Sequence, residues 1–409
     1  MHLKTASEKQ KQIATIITFF TIPLSGFMTD IYLPSFPSMA ENLSVSEKSI
    51  QLTLTSFFLS YGFAQLFVGS LLDSLGRYKP VLFSLAALFF SSLAITFTEQ
   101  VWLICFWRII QGIGTSFIVV AKRAYFVDVY NEERRKHFLS YFTIVWSCGP
   151  IVAPFLGGYL ESLFNWHANF YFLAIYAAIL FFSELFLSGE TIRIFKKFNL
   201  KKTSLQYAVM LKNKSFILGI LILGVAYSTV MVFNIAGPFV VEHHFNFNAV
   251  TTGYCTLILG IAWMLGGILS KTFSGFAFTK KLRTSSLIQG ILLIFFILAA
   301  TQIDQLYLFI GFAFLIHICS GFIFTNYFTQ NMIYFPGNAG IAGGLIGGLL
   351  YIITSISSFI ISSSGEIATT FDMSLRYLLF GVILTGIIFY SIHILQKKSR
   401  KNAKLHTVQ

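Results

Sequence analysis

Asp30 stands in GFMTDIYLPSFP (26–37), near the end of the first long apolar run, with only uncharged residues for many positions on either side. Arg108 is similarly isolated in LICFWRIIQGIG (103–114). Moving a charged side chain into hydrocarbon costs on the order of several kcal/mol, so such a residue faces a cavity or a partner. A carboxylate and a guanidinium within reach of each other can act as a titrating couple, with the carboxylate taking up a proton or a cargo group in turn. A fixed structural ion pair would leave the same residues in the sequence. His317 in HICSG (317–321) and Asn234 in NIAGP (234–238) add an imidazole and an amide inside other apolar runs. His317 reads equally as a second proton site or as a hydrogen-bonded core residue. Asn234 reads as cavity lining. Glu184 lies near the end of its run, where a carboxylate reaches water. Cys105, Cys148, Cys255 and Cys319 all fall inside apolar runs without metal-ligand spacing. No nucleophile–base constellation accompanies them, so no enzyme, metal or cofactor is expected.

The elements that must position these groups follow from composition. Only 11% of the residues are charged and 56% are hydrophobic, against about 25% charged in soluble domains. Apolar runs of about 20 residues, each able to cross some 30 Å of hydrocarbon, recur along the chain. We place twelve, at 13–36, 50–72, 80–98, 101–121, 138–160, 167–188, 215–240, 250–271, 284–301, 305–330, 340–363 and 375–396. The expected fold class is an all-α membrane protein of twelve transmembrane helices. All but three of the 29 Lys and Arg residues fall on the side that also carries both termini, the exceptions being Lys48, Arg108 and Arg376. That bias assigns this side to the cytoplasm and accounts for the +13 net charge without a nucleic-acid partner. The basic connection 193–214 divides the chain into bundles at 1–192 and 215–396, followed by a basic tail at 397–409.

Depth can be estimated at 1.5 Å per residue. Asp30 lies about 25 Å along the first run and Arg108 roughly 10 Å below the far end of the fourth. The two therefore share the outer half of the bilayer.

The halves resemble each other. DIYLP (30–34) pairs with NIAGP (234–238), RIIQG (108–112) with HICSG (317–321), and PFLGG (154–158) with GLIGG (344–348), in the same order. Three matches between runs n and n+6 indicate a duplicated six-helix unit, an organisation of secondary transporters with the substrate site between repeats.

Longer stretches carry a family likeness. GSLLDSLGRYK (69–79), through Gly69, Asp73, Gly76, Arg77 and Lys79, resembles the loop 2–3 signature of the major facilitator superfamily. The arginine motif of its fourth span is similar to the stretch holding Arg108, Gln111, Gly112 and Gly114. CGPIVAPFLGG (148–158) resembles the motif of its proton antiporters through Gly149, Pro150, Pro154, Gly157 and Gly158. DIYLPSFP (30–37), RAYFVD (123–128) and NWHANF (165–170) resemble the Bcr/CflA branch of bacterial drug:proton antiporters. His167 departs from the Arg usual there, and 267–283 lacks the acidic and Gly-Arg elements of a second loop signature.

This resemblance implies a monomeric exporter in the bacterial inner membrane that exchanges small organic molecules for protons. Asp30 and Arg108 would couple the proton, and Tyr32, Gln111, Asn234 and His317 would join them in lining the cavity. Asp73, Gly76, Arg77, Arg123 and Asp128 would form a cytoplasmic gate, with Asp73 facing the start of the eleventh span near Gly340. Gly149, Ala153 and Gly157, like Gly340, Gly344 and Gly348, recur at four-residue spacing, which lets helix backbones approach closely. An importer or facilitator on the same fold is the alternative reading.

Overall fold

The structure, a computed structural model, describes residues 2–192, 194–335, 338–365 and 367–406. Arg193 of the expected linker and residues 407–409 of the tail lie outside the described residues.

Helices make up nearly all of it. The first run is broken into α1 (Glu8–Thr21), α2 (Leu24–Asp30), a 3-10 turn (Leu33–Ser35) and α3 (Phe36–Asn42). Then come α4 (Glu47–Leu75), α5 (Tyr78–Thr96), α6 (Val101–Val129), α7 (Glu132–Leu163) and α8 (His167–Leu187). A short α9 (Leu200–Leu211) leads to α10 (Lys214–Phe239), which ends in a π turn (Val240–His244). The chain continues with α11 (Ala249–Thr272), α12 (Phe278–Ala300), α13 (Leu306–Ile333), α14 (Ala339–Ser363) and α15 (Thr370–His406). Among the described residues, eleven helical stretches are long and apolar enough to cross a membrane, the first of them running Glu8–Asn42. α7 is the remaining long helix, 32 residues with Pro150 and Pro154 inside it. All twelve expected runs are thus helical.

Local chemistry starts these helices where it does. Ser7 and Gln10 form a reciprocal capping box on α1, satisfying two otherwise orphaned N–H groups. Ser46, Asn131, Asn213 and Asn248 accept from the first-turn N–H groups of α4, α7, α10 and α11. Pro23 and Pro34 break the first run, because neither can donate the N–H that would continue the ladder. Tyr176 makes good one loss by bonding the Phe20 carbonyl.

Burial separates inner helices from outer ones. The apolar window of α10 is 78% buried and that of the first run 72%, whereas those of α8, α12 and α15 are 33% buried. The outer helices turn side chains such as Phe83, Phe90, Ile175 and Phe295 outward, as lipid-facing surfaces do. α10 and the first run are therefore central, where a pathway between repeats must lie.

The halves meet in two places. Away from the termini, Gln51 donates to the Ile235 carbonyl at 3.1 Å, Thr55 meets Ser358 at 2.7 Å, and Tyr159 meets Tyr254 at 2.9 Å. His243 closes the same end against Glu41 and Glu47. Nearer the termini, α4 and α14 pack through Gly62 and Gly348, each of which would clash with the opposite helix if it carried a Cβ. Gly340 and Gly343 beyond them face open space, and Arg123 at the end of α6 is exposed. Among the described residues, the side-chain bonds between the spans of the two halves lie at the end away from the termini.

Candidate functional site

Asp30 is the last residue of α2 and is 1% exposed. The helix stops there because Pro34 has no N–H for the Asp30 carbonyl, and the chain tightens so that the Ser35 N–H reaches Tyr32 O at 3.0 Å. One carboxylate oxygen accepts from the Thr29 hydroxyl at 2.9 Å. The other, Oδ1, has no hydrogen-bond partner in the protein.

Arg108 enters from α6 and is fully buried. Its Nη1 donates to Met28 O at 2.8 Å and to Gln111 Oε1 at 2.7 Å. Gln111 in turn donates to Ser92 Oγ at 3.0 Å, which sets its amide orientation. The guanidinium carbon lies 4.5 Å from the ring centroids of both Tyr32 and Phe57. Such stacking suits the planar, weakly hydrated guanidinium far better than an ammonium. Gly112 allows the arrangement, since a Cβ there would stand 2.1 Å from Ser60 Oγ on α4. Tyr32 is itself held at 3.1 Å by Thr53.

The structure thus gathers Asp30, Tyr32, Arg108 and Gln111 into one buried group. Yet Asp30 and Arg108 form no ion pair with each other. Arg108 Nε and Nη2 and Asp30 Oδ1 all lack protein partners. Unfilled capacity on buried charged groups is costly, and it leaves this site able to accept a proton, a cargo group or a new internal pairing.

His317 stands apart from this group. Nδ1 lies 3.4 Å from Leu259 O, to which it donates, and Nε2 lies 3.0 Å from the Tyr377 hydroxyl. Both ring nitrogens are thus engaged by groups of the C-terminal half. Asn234 is buried on α10 against Met231 of its own helix, with no bond to the Asp30 group.

Between the halves lies a run of aromatics that the sequence did not single out. Tyr61 and Tyr351 meet edge-on at 4.4 Å, Tyr227 contacts Tyr351 and Trp263 at 6.0 Å, and Trp263 meets Phe324 at 5.0 Å. Asp30 is within electrostatic reach of Tyr227 and Tyr351. Arg123, exposed on α6, is within electrostatic reach of Tyr61 and Tyr351. Among 47 Phe and 18 Tyr, no pattern marks the few that face a cavity.

On the face of the termini, Arg77 bonds Asp128 through Nε and Asp73 at 3.2 Å through Nη2. Thr191 adds a 2.9 Å bond to Asp128. Gly76 turns the chain at φ +88°, a conformation natural only to glycine. The residue that organises the loop is Glu190, which no sequence signal marked. Its carboxylate accepts from the N–H groups of Arg77, Tyr78, Thr191 and Ile192. Arg77 gives α5 no side-chain cap, so Glu190 supplies one from across the fold. Leu3 N–H bonds Glu190 O at 2.8 Å, drawing the N-terminal segment over the same loop. Burial raises the Glu190 carboxyl, but these four N–H groups outweigh it and hold the group below the usual carboxylate range.

Asp73 pairs with Arg77 of its own loop. One expectation is corrected here. Glu184 does not reach water. It is 2% exposed and forms an ion pair with buried Lys122 on α6, because the end of α8 is covered by α5 and α6.

Close packing explains the glycines and prolines of α7. A Cβ on Gly157 would stand 1.6 Å from Ile31 O, and one on Gly149 would stand 2.7 Å from Pro23 O. Gly26 has Pro150 Cδ only 2.4 Å from where its own Cβ would be. Gly158 meets Ala249 O, and Pro154 O meets Gly253, both on the α11 side. α7 is thereby pressed against the segment that ends in Asp30. On α14, Gly344, Gly347 and Gly348 face α4, while Gly340 packs against nothing, which corrects the expected row.

A model of the Major Facilitator Superfamily matches residues 18–359, and the chain belongs to that superfamily. It is an integral membrane transporter of small molecules. The uncharacterized MFS-type transporter YdgK of Bacillus subtilis is 28% identical over 363 residues, which is 88% of this chain and 90% of that protein. A bicyclomycin resistance protein homolog of Haemophilus influenzae is 34% identical over 180 residues, and multidrug resistance protein D of Escherichia coli is 28% identical over 177. These alignments take in 42% and 43% of this chain, and each spans 45% of the relative's length. Their names agree with the branch that DIYLPSFP, RAYFVD and NWHANF resemble. In fold, the chain is similar to a D-xylose–proton symporter with TM-score 0.70 and 14% identity over 92% of this chain and 97% of that one. The nucleoside transporter NupG gives TM-score 0.69 at 15% identity over 93% and 99%.

Proposed function

We propose that this transporter is a proton-coupled antiporter that exports small organic molecules across a bacterial inner membrane, working as a monomer with both termini in the cytoplasm. The observation that carries the reading is the buried Asp30 carboxylate at a helix break, beside a buried Arg108 with which it is not paired. In this reading it stands at the closed end of a pathway between the halves that opens toward the termini.

In this reading, cargo enters from the cytoplasm and lies against Tyr61, Tyr227, Trp263, Phe324 and Tyr351. Flat or apolar molecules fit such a surface, and a positive group on them would be drawn to the ring faces and to Asp30. Cargo arriving near Asp30 releases the proton held there. Once the halves rock and the far side opens, an external proton displaces the cargo. One shared carboxylate makes the two occupancies exclusive, which is what antiport requires. The α7 glycines and prolines, seated on α2 and α11, form the joint about which this end opens, and the Asp73–Arg77–Asp128 group serves as the gate at the other. Resistance proteins among the relatives support export over import.

The test is accumulation of a panel of aromatic cargoes inside everted vesicles whose lumen is made acidic, since export in the cell is uptake in that orientation. Asp30→Asn should abolish gradient-driven transport while the protein remains inserted and monodisperse. Wild-type rates in that variant would remove the shared-carboxylate mechanism, and release of preloaded cargo from the acidic lumen together with protons would establish the importer.

A further inference from the structure

We propose that α9 and the stretch before it form an in-plane anchor that binds the anionic phospholipids of the leaflet on the face of the termini, laid over the seam between α4 and α14. No Asp or Glu occurs between Thr191 and Lys214, whereas Arg193, Lys196, Lys197, Lys201, Lys202, Lys212 and Lys214 do.

Position comes first. Thr203 is buried and bonds Ser70 Oγ at 3.1 Å, and Tyr207 donates to Leu66 O at 2.7 Å. Ser70 and Leu66 lie about 7 and 13 Å back along α4 from its end at Leu75, taking 1.5 Å per residue. The same Tyr207 hydroxyl stands 3.4 Å from where a Cβ on Gly344 of α14 would be. Met210, one turn on, is 2% exposed. Residues 203, 207 and 210 share one helical face, so α9 lies beside the bundle at the level where α14 begins.

The opposite face is apolar and has no protein against it. Leu205 is 65% exposed and Val209 57% exposed, one turn apart, with exposed Lys201 beside them. Ile194, Phe195 and Phe198 in the preceding stretch are exposed as well, and exposed Lys196 and Lys197 fall among them. Apolar side chains turned outward at headgroup depth, flanked by lysines, are the features of a helix lying in the membrane interface. A second copy of the chain would bring one basic segment against another. Lipid phosphates are the complementary partner, already at this depth, and continuous with the lipid-facing surface of the spans. Because Tyr207 touches both α4 and the α14 seam, lipid that holds α9 in place also braces the contact between the halves.

The test uses the full chain with Cys105, Cys148, Cys255 and Cys319 replaced by Ser, carrying a bimane label on Leu205→Cys or Val209→Cys. Each protein is placed in nanodiscs of phosphatidylcholine with a minor fraction of phosphatidylglycerol. Brominated lipid should quench both labels, and aqueous iodide should not. Bromine carried on phosphatidylglycerol should quench severalfold more per mole than bromine on phosphatidylcholine, since each nearby lysine contributes about a fivefold preference. Lys196→Gln/Lys197→Gln/Lys201→Gln should erase that preference while leaving quenching by total brominated lipid in place. Iodide quenching of both labels would put the face in water and overturn the proposal. Protection from both quenchers would mean a protein partner and would overturn it equally. Equal quenching by the two lipids in the unaltered segment would remove the anionic selectivity.

Discussion

Glu190 offers the sharpest test of the loop architecture. In the native protein its carboxylate caps α5 and holds four backbone N–H groups. Replacing an N-cap acceptor costs about 1 kcal/mol, and leaving half-buried N–H groups unbonded costs about 1 kcal/mol or more in addition. Glu190→Ala should therefore weaken the closure of this loop by about 2 kcal/mol, with Glu190→Gln close behind because its amide N–H groups oppose the same donors. At 1.4 kcal/mol per decade, that is about a 30-fold rise in local opening. Leu3, fully buried and bonded through its N–H to Glu190 O, is the reporter. A Leu3→Cys variant should react with an impermeant maleimide about 30-fold faster when Glu190 is replaced. The pH dependence has a definite sign. A carboxyl held below its ordinary value of 4.5 adds stability at neutral pH, and that stability is lost as pH falls through its folded-state value. The labelling gap between wild type and Glu190→Gln should be full at pH 7 and should close at acidities below the usual carboxylate range. Labelling rates within twofold of each other at pH 7, or a gap that persists unchanged in acid, would refute the capping argument.

Three further outcomes are expected. Lys122→Met strands a buried Glu184 carboxylate and should destabilise the detergent-solubilised protein by about 3–5 kcal/mol, while Lys122→Met/Glu184→Leu should recover most of that loss; thermal unfolding of both variants decides it. Arg108→Lys keeps a charge but gives up the stacking between Tyr32 and Phe57 and the fork to Met28 and Gln111, so efflux should fall at least about tenfold. A wild-type rate in vesicles would show that charge alone suffices. Gly157→Ala should cost roughly 2 kcal/mol or more from overpacking against Ile31, and Gly340→Ala, which meets open space, should leave the unfolding midpoint unchanged.

What could be read from the chain and what could not divide along a physical line. Isolated charges in apolar runs, such as Asp30 and Arg108, are visible because their desolvation cost admits few explanations. Gly76 and the Asp73–Arg77 charges beside it were visible because a tight turn and a charge cluster have local signatures, whereas the pairing of Arg77 with Asp128, 51 positions on, was not. Phe57 and Trp263 were not, since every span is rich in aromatics and only the rotation of each helix decides which of them face lipid. Lys122 and Glu184 sit 62 positions apart, and neither stretch shows that α6 and α8 bring them together.

Hydropathy and the spacing of basic residues alone determined the twelve helices, the near-total absence of sheet and the clustering of charge on one side. These are properties of each segment's own transfer from water to lipid. The packing of α7 on the Asp30 segment, the separation of Arg108 from Asp30, the partners of His317 and the capping of α5 by Glu190 were decided only by tertiary structure. Each depends on helix rotation and on contacts between residues far apart in the chain, and the transfer energy of a single helix is the same for any such arrangement.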